Sequence, residues 1–170
     1  MFSIALQLIF AVLTAAHRDV SQTLNDLHDI TAGANNLTTI TNAWDGQIAG
    51  ANDISTSTNV LADLVDTANH HAAEGDVATS EDSVAIRDYI TETSQPSVAA
   101  SIDAVVARKA DLDTAGASPD ILDAMQSLKS KVDAYATTLW VITSEDQRDS
   151  VRSAIGQLDT DFAKVIGAFS

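Results

Sequence analysis

Lys109-Ala110-Asp111-Leu112-Asp113-Thr114-Ala115-Gly116-Ala117-Ser118-Pro119-Asp120-Ile121-Leu122 reads as the end of one helix and the start of the next. Gly116 suits the left-handed residue that closes a helix. Ser118 suits the cap of the following one, with Pro119 at its first position, where a missing N–H costs nothing. Asp120 then falls in the first turn, near the positive end of the helix dipole. Downstream, Ile121, Met125, Leu128, Val132, Tyr135, Leu139 and Ile142 recur at alternating steps of four and three, which is one face of a helix. Upstream, Val98, Ile102, Val105, Lys109 and Leu112 make a second stripe that reaches back across Pro96 to Ile86, Tyr89 and Ile90. Proline interrupts a helix and restrains the residue before it. This stretch is therefore one long helix kinked near Ser94 to Pro96, or two helices with a very short joint. Ser80-Glu81-Asp82 reads as its cap followed by first-turn acids.

The same spacing covers the rest of the chain. From Asp19 to Asp45 the face is Val20, Leu24, Leu27, Ile30, Ala34, Leu37, Ile40 and Trp44, with Gly33 as its weak point and Gly46 and Gly50 as its end. A segment over roughly residues 53 to 73 carries Ile54, Thr58, Leu61, Val65, Ala68 and Ala72. Ser144 and Gln147 have the spacing of a capping box, and open a last segment with Val151, Ile155, Leu158, Phe162, Val165 and Phe169 on one face. No stretch alternates at period two for long enough to make a convincing strand. The expected fold is an all-α antiparallel bundle of about five amphipathic helices, because short connections make sequence neighbours run in opposite directions.

Residues 1 to 16 carry no charged side chain. Phe2 to Leu13 is too short to span a bilayer but suits the apolar region of a signal peptide, with Thr14-Ala15-Ala16 offering small residues for cleavage. The expected organisation is thus a signal peptide over 1–16 and one helical domain over 17–170. Secretion follows, with association with a cell wall as a further option. The chain has no cysteine, and a domain of this size can fold without disulfides. Asn36-Leu37-Thr38 is the single glycosylation sequon, with Asn36 as its acceptor. A net charge of −15 with only nine scattered Lys and Arg argues against nucleic acid and against stable docking on or insertion into an anionic membrane.

Side-chain size varies between the stripes. The last two segments present large residues, whereas Thr31, Ala34, Thr41, Ala51, Thr58, Ala68 and Ala72 lie on or beside the first two. Small residues either draw helices together or leave a void. An elongated apolar void between helices would suit a fatty acyl chain. Candidate lining residues are Leu37, Thr41, Thr58, Leu61, Val65 and Ala68 from the first half of the chain. The second half offers Val105, Leu128, Val132, Ser150, Leu158 and Phe162. A carboxylate head group could meet Lys109, Gln147, Ser150, Thr31, Thr41 or Thr58, but each has an internal use. Lys109 can pair with Asp113 at i+4, Gln147 belongs to the capping box, and helical Ser and Thr can bond the backbone.

The run K-A-D-L-D-T-A-G-A-S-P-D-I-L followed by a long amphipathic helix resembles the fungal hydrophobic surface-binding protein A and cell-wall galactomannoprotein family. Arg18-Asp19-Val20, opening the first long helix, and Trp44-Asp45-Gly46 to Gly50, breaking it, extend the resemblance over most of the chain. The resemblance implies a secreted, non-enzymatic protein that encloses long-chain fatty acids or similar lipids. The alternative it implies is adsorption to hydrophobic surfaces with recruitment of a secreted hydrolase. It brings no cofactor and no catalytic motif. The chain itself has no Gly-x-Ser-x-Gly elbow, no His-Glu-x-x-His, no glycine-rich phosphate loop and no cysteine nucleophile. Asp66, His70 and Glu74 share a helix face beside His71, but a zinc site needs a further ligand and supporting partners. The expected metal is none.

Overall fold

Five rods are separated by breaks with identifiable chemical causes. The computed structural model of the protein describes residues 2–170, with side chains from Val20 onward. The expected signal peptide lies outside the residues whose side chains are described. The helices are α1 (Phe2–Ala43), α2 (Ile48–Ala73), α3 (Ser80–Tyr89), α4 (Gln95–Ala107), α5 (Lys109–Thr114), α6 (Ser118–Ile142) and α7 (Arg148–Phe169). A π-helical turn, Ile90–Ser94, joins α3 to α4, and a 3-10 turn, Glu145–Gln147, precedes α7. Among the described residues there is no strand.

Between α1 and α2 the Trp44 indole N–H donates to the carbonyl of Gln47 at 2.7 Å, and the Asp45 carboxylate accepts from the Gln47 N–H at 3.0 Å. This tight turn lets α2 begin at Ile48, earlier than the apolar spacing suggests. The cap of α3 is Thr79, one residue before the expected Ser80: its hydroxyl accepts from the Asp82 N–H at 3.2 Å and donates to the Asp82 carboxylate at 2.7 Å. Pro96 sits in the first turn of α4. The kink foreseen there is the π turn, in which the Gln95 N–H reaches back to the Ile90 carbonyl. Widening the turn makes room for the proline ring, which would otherwise meet the carbonyl four residues earlier.

Gly116 has φ +72°, the left-handed value expected of it. The Ala117 N–H donates to the Leu112 carbonyl at 2.9 Å and the Gly116 N–H to that of Asp113 at 3.0 Å. These paired bonds are a Schellman motif, and Leu112 and Ala117 are both buried beneath it. The cap of α6 is Ala117 rather than Ser118, whose hydroxyl donates to the Asp113 carboxylate instead. The expected capping box before α7 does not form. The Ser144 N–H donates to the Ser83 hydroxyl at 3.0 Å, and the Gln147 carboxamide oxygen accepts from Arg87 at 3.1 Å.

The rods, counting α3–α4 as one, pack as a closed ring in the order α1, α2, α6, α7, α4 and back to α1. Rods adjacent in sequence run antiparallel, as Asn36–Ser57 and Asp26–His71 across α1 and α2 demonstrate. The ring has an odd number of rods, so some neighbours must run parallel. Lys131 pairs with Asp63 and Thr138 with Asn69 across α2 and α6, and His28 with Tyr89 and Thr31 with Ser94 across α1 and the α3–α4 rod. Leu37, Ile54, Leu61, Ile102, Met125 and Phe162 fill the centre. No helix among the described residues is long and apolar enough to cross a membrane.

Candidate functional site

The ring is not uniformly solid. An apolar pocket lies between the middles of all five rods, lined by Leu27 and Ile30 of α1, Leu61 and Val65 of α2, Ile90 and Ser94 of the π turn, and Gln95 and Val98 of α4. Leu128, Val132, Tyr135, Ala136 and Leu139 of α6 and Ile155 and Leu158 of α7 complete it. Its wall exposes no polar atom, and the free space is about 50 Å³. Four lining residues, Gln95, Val132, Ala136 and Ile155, are only half-buried, which places the mouth beside α7. Along α6 the wall from Leu128 to Leu139 rises about 16 Å, close to half the hydrocarbon thickness of a bilayer.

The π turn contributes directly. It turns Ser94 inward, where its hydroxyl lies 2.9 Å from that of Thr31 and within 3.4 Å of the Leu27 carbonyl, while Thr31 donates to the same carbonyl at 2.8 Å. These polar atoms satisfy one another away from the pocket surface. The Tyr135 ring forms part of the wall, and its hydroxyl is buried without a partner among the described residues. Burial pushes that phenol well above its ordinary pKa, with the charge of Asp26 adding to the effect. It therefore stays neutral.

Of the lining residues expected from sequence, Leu61, Val65, Leu128, Val132 and Leu158 face this pocket together. Leu37, Thr41, Thr58, Ala68, Val105 and Phe162 are buried elsewhere in the core. Ser150 lies outside it, in an exposed polar cleft of about 560 Å³ with Thr91, Gln95, Asp149, Ser153 and Gln157. Among the residues considered for a carboxylate, Lys109 pairs with Asp113 at 2.5 Å, which draws the Asp113 carboxyl below its ordinary pKa, with the Ser118 hydroxyl bond adding to the shift. Thr58 donates to the Ile54 carbonyl at 2.9 Å, and Gln147 is held by Arg87. The Thr41 hydroxyl is buried and unpartnered among the described residues, but lies outside the apolar pocket. Asn36 is exposed on α1, its amide donating to the Ser57 hydroxyl at 3.3 Å.

The histidines and their neighbouring acids take separate partners rather than converging on one point. His71 pairs across the α1–α2 seam with Asp26 at 3.0 Å, Asp66 lies 3.7 Å from Lys131, and His70 is exposed. Among the described residues no group of three or more His, Asp or Glu is arranged to hold a metal ion.

The fold and the pocket together define an all-α bundle with an apolar chamber between its helices. The chain belongs to the hydrophobic surface binding protein A family, whose family model matches residues 20–140. No curated protein matches the sequence. Among solved structures, AFMP4P in complex with palmitic acid is similar at 27% identity and a TM-score of 0.85, over 89% of this chain and 99% of that one. Ligand binding domain 1 of the Penicillium marneffei MP1 protein, complexed with arachidonic acids, shares the fold at 14% identity and a TM-score of 0.84, over 89% of this chain and 99% of that one. Domain 2 of the same protein, also with arachidonic acids, does so at 15% identity and a TM-score of 0.82, over 88% of this chain and 93% of that one.

Proposed function

We propose that the protein is a secreted, non-enzymatic lipid carrier that takes a long fatty acyl chain into the pocket bounded by α6 and α7. The observation that carries this reading is a wholly carbon wall at the centre of a fold whose relatives include AFMP4P in complex with palmitic acid. Each methylene moved from water onto such a wall gains about 0.8 kcal/mol. A long chain thus gains on the order of 10 kcal/mol before the costs of binding and of widening the pocket. Widening is required, because 50 Å³ holds little more than a water or two. The half-buried rim beside α7 is the side where the rods can part with least loss of buried surface.

Secretion rests on the apolar segment of residues 1–16, which leaves 17–170 as a single lipid-binding domain. Cell-wall association and use of Asn36 for a glycan are compatible with that location. Native mass spectrometry of protein incubated with palmitate tests the proposal. A stoichiometric adduct that survives mild desolvation supports it, and protein that stays empty overturns it.

The family description, hydrophobic surface binding protein A, favours a second reading, adsorption to hydrophobic surfaces; recruitment of a secreted hydrolase is proposed as part of that reading. The large apolar residues left exposed, Ile48, Val60, Val77 and Val141, are spread over α2, the α2–α3 connection and the end of α6. Single exposed residues of this kind are ordinary, so adsorption would proceed by opening the bundle. Depletion of the protein by hydrophobic beads with loss of its near-UV circular dichroism, and without lipid uptake, is the result that favours this second reading.

A further inference from the structure

We infer that Arg152 is the anchor for the carboxylate of a fatty acid whose chain enters the pocket between α6 and α7. The inference rests on the reading of that pocket as an acyl site. Its starting point is how the cations are paired. Among the described residues, Arg87, Arg108, Lys109, Lys129, Lys131 and Lys164 each lie against a carboxylate. Arg148 lacks one, but lies 4.8 Å over the Trp140 ring and donates to the Thr143 and Val141 carbonyls at 3.2 and 3.4 Å, where α6 ends. Arg152 stacks on the same ring at 5.4 Å and has neither a carboxylate nor a hydrogen-bond acceptor among the described residues. In a chain with 24 acids and nine bases, a guanidinium left without an acid is the exception.

Its position supplies the function. Arg152 lines a cleft of about 220 Å³ with Thr137, Trp140 and Gly156, and two further walls of that cleft, Ala136 and Ile155, are also walls of the apolar pocket. Arg152 and Ile155 lie three apart on α7 and so share a face. A chain inserted past Ile155 therefore leaves its head group beside the guanidinium. Gly156 offers room there, since a Cβ at that position would meet nothing within 4 Å. The acid on this cleft, Asp159, is already engaged by Lys129 at 3.2 Å. The polar cleft on the other side of α7 has hydroxyls but also Asp149 and no cation, so a carboxylate is disfavoured there. Trp140 restrains the planar guanidinium, which limits the side-chain entropy lost when it grips a carboxylate through two bonds.

Binding of palmitate and of hexadecan-1-ol, the same chain without a charge, separates head group from pocket. Arg152→Gln is expected to weaken palmitate about five- to tenfold and to leave hexadecanol unchanged, with Arg152→Lys retaining much of the preference. The preference of the unaltered protein for palmitate should also shrink as salt is raised. Arg152 is exposed, so neither change disturbs the core, and unchanged circular dichroism verifies this. If both probes bind and Arg152→Gln leaves palmitate unaffected, or weakens both equally, the anchor is wrong while the acyl site stands. If the unaltered protein takes up neither probe, the acyl site falls and the anchor with it.

Discussion

The α1–α2 seam and the α6–α7 seam are built from opposite materials and behave in opposite ways. The first is rich in small residues, among them Gly33, Ala34, Thr58 and Ala68, and it is closed around Gly33, whereas Leu27, Ile30, Leu61 and Val65 further along it reach the apolar pocket and a cleft of about 330 Å³ opens beside His71 at its end. A Cβ added at Gly33 would lie 2.9 Å from Leu64 Cδ1 and 3.2 Å from Leu61 Cδ1. The second carries Leu128, Val132, Leu139, Ile155 and Leu158, and the void lies beside it. Small side chains let helix backbones approach until the gap disappears. Large ones hold the axes apart, and branched shapes then fail to fill every hole between them. In this bundle the hollow follows from side chains that keep helices separate.

Truncation in the closed part of the core should be the most damaging. Leu37 is fully buried and lies outside the apolar pocket, so Leu37→Ala is expected to lose about 3–5 kcal/mol in urea unfolding. A loss under about 1 kcal/mol would mean that the closed part of the core is already loose. Enlargement should then separate the seams. Ala68→Phe, at a fully buried site away from the pocket, should cost about 1–3 kcal/mol or more. Ala136→Phe, on the half-buried rim of the pocket, should cost less than about 1 kcal/mol and abolish palmitate uptake. Equal destabilisation by the two would erase the distinction.

Gly156→Ala removes a helix-interior glycine at an open position on α7 and is expected to stabilise by about 0.5–1 kcal/mol, read as a rise in Tm. A fall would show that α7 is tighter than its surroundings indicate. The smallest effect concerns acid. The Ser80 hydroxyl, followed by Gln147 and Ser144, holds the Asp146 carboxyl at about 2, below its ordinary 3.8. A carboxyl depressed in the folded state adds stability that is present above the unfolded pKa and lost as pH falls through the folded one. Asp146→Asn should therefore flatten the stability profile slightly between about pH 4 and pH 2 and leave it unchanged at neutral pH.

The rods could be read from sequence because burial in a helical bundle imposes its period on side-chain type. Gly116 could be read because few other residues accept φ +72°. The start of α3 shifted by about one residue because two hydroxyls, Thr79 and Ser80, competed for it, and α7 opens through the 3-10 turn Glu145–Gln147 rather than a capping box because Gln147 found a more distant partner in Arg87. The pocket was half visible. Leu61, Val65, Leu128, Val132 and Leu158 lie on plain α-helical faces, whereas Ile90, Ser94, Gln95 and Val98 depend on a π turn that alters the phase of the stripe. Pro96 was the available signal for that turn. Arg152 was invisible for a different reason. Its lack of an acidic partner emerges only when pairs such as Lys129–Asp159, Lys131–Asp63 and Lys164–Asp103 are formed across helices far apart in sequence.

The most direct test of the acyl chamber is a crystal structure of the protein with 16-bromohexadecanoic acid, locating bromine by its anomalous signal. The chamber predicts bromine deep between the rods, near Leu27, Leu61 and Val65, with the carboxylate at the α7 rim. Bromine on the outer surface, beside Ile48, Val60 or Val141, would contradict it.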